Sequence, residues 1–408
     1  METGPSPSSG PGRSPAGDSG RSPAGDSGPV AGRHDDLTDV AGVRVGHYHR
    51  IGHGWRTGTT VVLLPPGSVG AVDVRGGGPC TRETDALAPG TLVEVVHAIC
   101  LSGGSVFGLA AASGVADWLA SRGAGLPLGT APGEVVPIVP AACLFDLRPG
   151  AWDRRPDAAF GRAAAEAAAE PPGAGPVSLG SVGAGAGARS GPFAGGVGSA
   201  SVVVPPGTRS GRGVGSAAPV AGSAPCSGVA AGVTVAALAV VNSAGSPAEL
   251  RTGRLYGADL LLPGEAPGSQ PPVPTDAARQ LPSSSERPRS GATVLVVVAT
   301  DLELGRADCT RVAMASHDGL ARAFRPAHGL TDGDVVFALS TGAVRAAGRG
   351  GARDGAGLLR AGAVGAGQLG RVMAAGADVV TRACVRAVLA AAGGGDPPSH
   401  QDCFPGVC

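Results

Sequence analysis

Ala292-Thr293-Val294-Leu295-Val296-Val297-Val298-Ala299-Thr300-Asp301 is a β-branched apolar run that begins abruptly at one threonine. Branched side chains suit a buried strand, so the run predicts a strand starting at Thr293. In front of it, Gln270 to Gly291 is rich in proline and serine and reads as a cleavable connector. Cutting the Ala292–Thr293 bond makes Thr293 an N-terminus that carries a hydroxyl nucleophile and an α-amine base on one residue. A threonine opening a strand is also ordinary architecture. The interest of Thr293 lies in its position: connector before it, buried strand after it, acidic residues downstream.

The rest of the chain limits the chemistry available to that threonine. The 408 residues suffice for one large domain or two ordinary ones. Hydrophobic residues make up 43% and aromatic residues only 3%, so the core is expected to be built from alanine and valine. The 71 glycines and 36 prolines divide between low-complexity ends and tight turns. A net charge of zero offers no basic field for nucleic acid or an anionic membrane. Lysine is absent, which excludes any mechanism that needs a lysine as proton carrier, since arginine keeps its proton near neutral pH. The eight cysteines form no CxxC pair and read as buried free thiols, so no metal and no cofactor is expected. No secretory signal precedes the fold, and the longest apolar run, Gly228 to Val241, is too short to span a bilayer. A cytoplasmic protein is expected.

Three segments are expected. Residues 1–35 form a disordered arm carrying the octapeptide Arg-Ser-Pro-Ala-Gly-Asp-Ser-Gly twice in tandem. Residues 36–292 form a first segment that ends in a linker over 246–292, and 293–408 completes one composite domain. Strands are expected at Val43–Val45, Thr59–Leu64, Val69–Val74, Leu92–Ile99, Ser199–Val204 and Val229–Val241, the last ending at Asn242. Leu101-Ser102-Gly103-Gly104-Ser105 opens a helix through Leu119. Its free N–H groups suit an oxyanion, or the turn is a plain strand-to-helix bend. Asp157 to Glu170 reads as a helix. After Thr293 the pattern is strand, helix, strand, helix: Cys309, Val312, Ala313, Ser316, Leu320 and Ala323 mark one helical face. Val379, Val380, Ala383, Cys384 and Ala387 mark another, before a frayed tail beyond Gly393.

Asp332 and Asp334 flank Gly333. Residues two apart in extended chain share a face, so both carboxylates can enter one cleft, where one of a close pair is left protonated. A solvated Asp-Gly-Asp turn is the competing reading. Asn242 offers an amide for a developing oxyanion, or is a strand-end residue. His47, His49 and His53 lack an acidic partner for a metal, and His97 and His317 read as structural. Val182-Gly183-Ala184-Gly185-Ala186-Gly187-Ala188 lacks the lysine of a phosphate loop and reads as close chain packing.

Taken together, the chain resembles the S58 peptidases, hydrolases of the N-terminal-nucleophile type that include L-aminopeptidase/D-esterases, β-peptidyl aminopeptidases and nylon-oligomer hydrolases. The matching stretches run from Leu37-Thr-Asp-Val-Ala-Gly-Val-Arg-Val-Gly-His47 through Asp73-Val-Arg-Gly-Gly77, Thr81-Arg-Glu-Thr-Asp85 and His97-Ala-Ile-Cys-Leu-Ser-Gly-Gly-Ser-Val-Phe-Gly-Leu109 to Val136-Pro-Ile-Val-Pro140. They continue with Gly195-Gly-Val-Gly-Ser-Ala-Ser201, Val297-Val-Ala-Thr-Asp301, His317-Asp-Gly-Leu-Ala-Arg322 and Asp332-Gly-Asp334. The resemblance implies a layered α/β sandwich, two sheets between helices, in a precursor that cuts itself between Ala292 and Thr293. It implies Thr293 as nucleophile, Asp332 and Asp334 as its acidic support, Asn242 on the oxyanion side, and small peptides, amides or esters as substrates. A homo-oligomer, a tetramer of processed protomers, is implied as well. Ala292 stands where relatives carry asparagine or glycine, and Ala194 where they carry lysine. A second reading, a non-cleaving relative acting in binding or assembly, follows from those two alanines.

Overall fold

The computed structural model describes residues 1, 30–131, 133–148, 150–170, 176–205, 232–266, 275–279, 281, 291–345, 360–361, 364–393 and 395–408. The tandem octapeptide and Cys226 lie outside the described residues. In chain order the principal strands are β1 (Arg44–Gly52), β2 (Trp55–Leu63), β3 (Val69–Val74), β4 (Thr81–Arg82), β5 (Ala98–Ser102), β6 (Ala141–Cys143), β7 (Gly196–Val204), β8 (Val233–Asn242), β9 (Thr293–Leu302) and β10 (Val335–Val344). The principal helices are α1 (Ala111–Ala120), α2 (Ala158–Ala169), α3 (Arg306–Ala323) and α4 (Ala366–Leu389). One five-stranded sheet runs β1-β2-β5-β6-β4 and the other β7-β8-β9-β10-β3.

The run that opens at Thr293 explains why the sheets stack. Leu295, Val297 and Ala299 pack against Val62, Ile99 and Leu101 of the first sheet. The alternate residues Val294, Val296 and Val298 pack with Val312 and Leu320 of α3 and Val379 and Val380 of α4. A strand apolar at every position is therefore covered on both faces, as the two-residue side-chain period requires. On the far side, Val61, Leu63, Ala98 and Cys100 meet α1 and α2 through Ala111, Val115, Trp118 and Ala164. The result is helices, sheet, sheet, helices. Small side chains let the layers approach closely: a Cβ on Gly198 of β7 would stand 1.9 Å from the Ala383 carbonyl of α4.

Strand β8 pairs antiparallel with β9, from Val235 opposite Thr300 to Asn242 opposite Thr293. Strand β9 pairs parallel with β10, Leu295 opposite Val335, and α3 makes the crossover between them. Both ends that matter, the start of β9 and the residues leading into β10, therefore emerge at one edge of the second sheet.

Several local expectations change. Leu92 to His97 is not a strand: Leu92 is exposed, and pairing begins only at Ala98 with β2 and at Cys100 with β6. The Gly103–Gly104 turn keeps no free N–H for an oxyanion, because Gly103 N–H donates to Gly58 O, Gly104 N–H to Asp146 Oδ1 and Ser105 N–H to Leu144 O. The first part of the linker is packed: Ser246 pairs with Arg325, and Ala248 and Leu255 are buried in the core beside α3 and α4. Residues 267–274, 280 and 282–290 of that linker lie outside the described ones. Order begins before Leu37, since Val30 bridges to Val203 and Asp35 meets the guanidinium groups of Arg382 and Arg386 at 2.8 Å. The tail is not frayed either. His400 and Phe404 are fully buried against Phe193, with ring centroids 5.4 and 6.3 Å away, and a Ser399–Asp402 capping box starts the last turn of helix.

Candidate active site

Thr293 opens β9 with its side chain buried. Its hydroxyl donates to the carbonyl of Ala292 across 2.6 Å, and the same carbonyl accepts the N–H of Gly333 at 2.9 Å. Two donors therefore converge on the oxygen of the one peptide bond that precedes the threonine. Gly333 is required by space. A Cβ there would lie 2.7 Å from Thr293 Oγ1 and 2.8 Å from the Gly78 carbonyl.

The aspartates flanking Gly333 are both buried, and Ala292 forms a parallel bridge with Asp332 that brings the pair alongside the strand start. The solvated-turn reading of Asp-Gly-Asp is thereby overturned. Asp334 Oδ1 accepts the N–H of Val294 at 2.8 Å, and Oδ2 accepts Nδ1–H of His328 at 2.8 Å. Asp332 Oδ2 accepts the N–H of Gly329 at 2.7 Å, while Oδ1 is buried without a partner. Burial raises the Asp332 carboxyl above its ordinary value. The Gly329 N–H works against that rise, the charge of Asp334 adds to it, and His328 opposes it. The loop after β3 closes the site from the other side: Gly78 N–H donates to Asp332 O and Arg75 N–H to Asp334 O.

Asn242 ends β8 directly opposite Thr293. Its Nδ2 donates to the carbonyls of Phe145 at 3.3 Å and Gly291 at 3.2 Å, and its Oδ1 accepts the N–H of Arg189 at 3.0 Å. The amide thus holds the residue before Ala292, and the oxygen of Ala292 is served instead by Gly333 N–H. Ala194 is buried in a short ribbon across from Arg189, whose guanidinium turns away to Asp396 at 3.1 Å. Among the described residues, no arginine is hydrogen-bonded to Thr293, Asp332 or Asp334.

Two histidines were not singled out for this site by the sequence. His328 lies beside Asp334, and His317, read as merely structural, stacks edge-on against it with centroids 4.9 Å apart. Proximity of His328 to the Asp-Gly-Asp motif was the available signal. Nothing local tied His317 of α3 to it. His47 and His49 stay elsewhere, on Thr60 Oγ1 at 2.9 Å and under Gly183 N–H at 3.3 Å. Gly183 itself packs so closely on Thr60 and His47 that the glycine-rich loop reads as chain packing.

A hydroxyl pressed on its own preceding carbonyl, a backbone donor on the same oxygen and a buried acid pair are groups that acyl-transfer chemistry calls for. The model of peptidase family S58 matches residues 35–396. An uncharacterized aminopeptidase of Mycobacterium tuberculosis is 43% identical over 385 residues, covering 91% of this chain and 99% of the relative. A 6-aminohexanoate-oligomer endohydrolase of a Kocuria species is 29% identical over 312 residues, 76% of each chain. Among solved structures, a beta-aminopeptidase of a Burkholderia species superposes with a TM-score of 0.60 at 26% identity over 91% of both chains. The L-aminopeptidase D-Ala-esterase/amidase of Ochrobactrum anthropi, described as a variant of the Ntn hydrolase fold, gives 0.62 at 22% identity over 90% of both. The two-sheet sandwich is thus the Ntn-hydrolase fold, and the chain belongs to peptidase family S58 and is an aminopeptidase-like hydrolase.

Proposed function

We propose that the chain cuts itself between Ala292 and Thr293 and then hydrolyses small peptides, amides or esters with the freed threonine. The observation that carries this reading is the Ala292 carbonyl, which meets both the Thr293 hydroxyl and the Gly333 N–H. In the precursor, Thr293 Oγ attacks the Ala292 carbonyl carbon, and the C–N bond breaks as the amide nitrogen takes the proton. Water then cleaves the resulting ester, leaving a carboxylate on Ala292 and a free α-amine on Thr293. Gly333 N–H holds the charge that develops on oxygen, a role worth about 2.7–4 kcal/mol of barrier per donor.

In the mature enzyme the α-amine, with an ordinary value of roughly 7.7–8.0, takes the hydroxyl proton as Oγ attacks substrate. Departure of Gly291 frees the Asn242 Nδ2 hydrogen that its carbonyl occupied, adding a donor beside the substrate carbonyl. Asp332 and Asp334 orient the amine and carry protons, a task that falls to carboxylates in a chain without lysine. The acyl-threonine ester is hydrolysed to complete the cycle.

Denaturing gels and N-terminal sequencing test the first stage. The wild type gives two fragments, the second beginning at Thr293. Thr293→Ala stays full length and inert toward p-nitroanilide substrates, and Thr293→Ser retains some processing. A wild type that stays one chain, hydrolyses nothing and remains assembled overturns the reading in favour of the non-cleaving relative, which Ala194 supports by leaving no lysine in its place.

A further inference from the structure

His328 is an unusual residue to find where it stands. It is not glycine, yet its φ is +58°, in the left-handed region that side chains avoid. Its backbone N–H and its Nδ1 both reach Asp334 Oδ2, at 3.3 and 2.8 Å. A carboxylate only accepts, so Nδ1 carries the hydrogen, and Nε2 is left buried without a partner. The ring is held from behind by His317, whose Nε2 donates to Asp73 O at 3.1 Å and lies 3.5 Å from Asp73 Oδ2. Burial pushes the His317 imidazole down to about 4, so it braces His328 as a neutral ring. The ionisable groups around the two rings are Asp332 and Asp334, which act on His328 from its own loop, and Asp73 of β3 with its ion partner Arg75 just after that strand, which act on His317 of α3.

The acid pair is consequently asymmetric. Both oxygens of Asp334 accept N–H donors, from Val294 and from His328. Asp332 has one oxygen on Gly329 N–H and the other buried and bare. A bare buried oxygen is better carried as O–H than as an anion, so the donors on Asp334 direct the pair's proton to Asp332. We propose that His328, braced by His317, is a positioning residue that anchors Asp334 under the start of β9 and keeps the proton of the acidic pair on Asp332. The inference rests on the nucleophile reading above. The hydrogen bonds of His328 go to Asp334, and it acts through that carboxylate.

The test compares wild type, His328→Leu and His328→Asn for self-cleavage rate, kcat and KM, across pH. An asparagine amide replaces Nδ1–H without an ionisable ring. His328→Leu slows self-cleavage and kcat by about tenfold to a hundredfold, the range for a lost hydrogen bond to a charged group, with KM little changed. It also moves the acid limb of kcat/KM to higher pH, because an Asp334 carboxylate stripped of the Nδ1–H donor takes up a proton more readily. His328→Asn, whose amide restores that donor, recovers most of kcat and returns the limb toward its wild-type position. Should His328→Leu fail to fold, His328→Ala makes the same comparison. Folded variants with wild-type rates and pH profile, or a loss of rate with the limb unmoved when the donor is removed, overturn the inference while leaving the nucleophile reading intact. A wild type that neither cuts itself nor turns over amides removes both.

Discussion

Gly333 shows how one missing Cβ lets the Thr293 hydroxyl sit where it does. The methyl group of Gly333→Ala would stand 2.7 Å from the threonine hydroxyl, closer than any carbon can stay. The hydroxyl must leave the Ala292 carbonyl or the loop must retreat, and displacing a reacting group by about 1 Å can cost about a hundredfold in rate. Gly333→Ala is therefore expected to accumulate uncut chain, read as the fraction processed against time on a denaturing gel. A wild-type rate would remove the close approach from the argument. Thr293 and the two aspartates were legible in the sequence because each carries its signal locally: a strand that starts at a hydroxyl, and acids two apart. His317, His328 and Asp73 were not. They come from a helix, a loop and a strand, with Asp73 and His317 separated by 244 positions, and no periodicity links them.

At the scale of elements, the bend between β5 and the helix that follows depends on a carboxyl rather than on glycine alone. Asp146 Oδ1 accepts the N–H of Gly104, whose φ is +82°. Burial pushes this carboxyl up to about 7, with the Thr57 hydroxyl first and the Gly104 N–H second acting against the shift. The folded state then holds a proton that the unfolded chain releases at about pH 4. The stabilisation is complete below that pH and is lost as pH rises through about 7. Asp146→Asn keeps an acceptor for Gly104 and removes the ionisation. Its Tm should vary less than that of the wild type from pH 4 to 8 and exceed it at the upper end, and parallel curves would contradict the assignment. The sequence predicted β9, β10, α2, α3 and α4 because their periods are regular over long spans. It misplaced Leu92–His97, whose branched residues find no strand to pair with, and took Ala248 and Leu255 for linker because a two-residue bridge has no period to read.

For the molecule as a whole, the proposed cut falls inside a sheet and not between domains. The strand that ends the first segment, β8, hydrogen-bonds along β9 of the second, and both are buried between the other sheet and the two helices α3 and α4. Arg382 of α4 is buried and holds Asp35 and Glu265, both of which precede the proposed cut, at 2.8 and 2.6 Å. After cleavage the fragments should migrate together in native size exclusion and separate only in denaturant, since parting them would expose the central strands. Fragments that separate in mild buffer would contradict this packing. Among the described residues, no helix is long and apolar enough to cross a membrane.

The sequence by itself determined the buried strand at Thr293, the acidic pair, the absence of any lysine to serve them, and the family. Each of these is written in a contiguous stretch or a composition, and a local pattern is enough to specify a local conformation. Only the tertiary structure decided which donor meets the Ala292 carbonyl, that Asn242 grips Gly291, and that two histidines stand behind Asp334. Those are hydrogen bonds between segments remote in the chain. They exist because the stacking of two sheets brings strand ends to one edge, a distance that no one-dimensional pattern encodes.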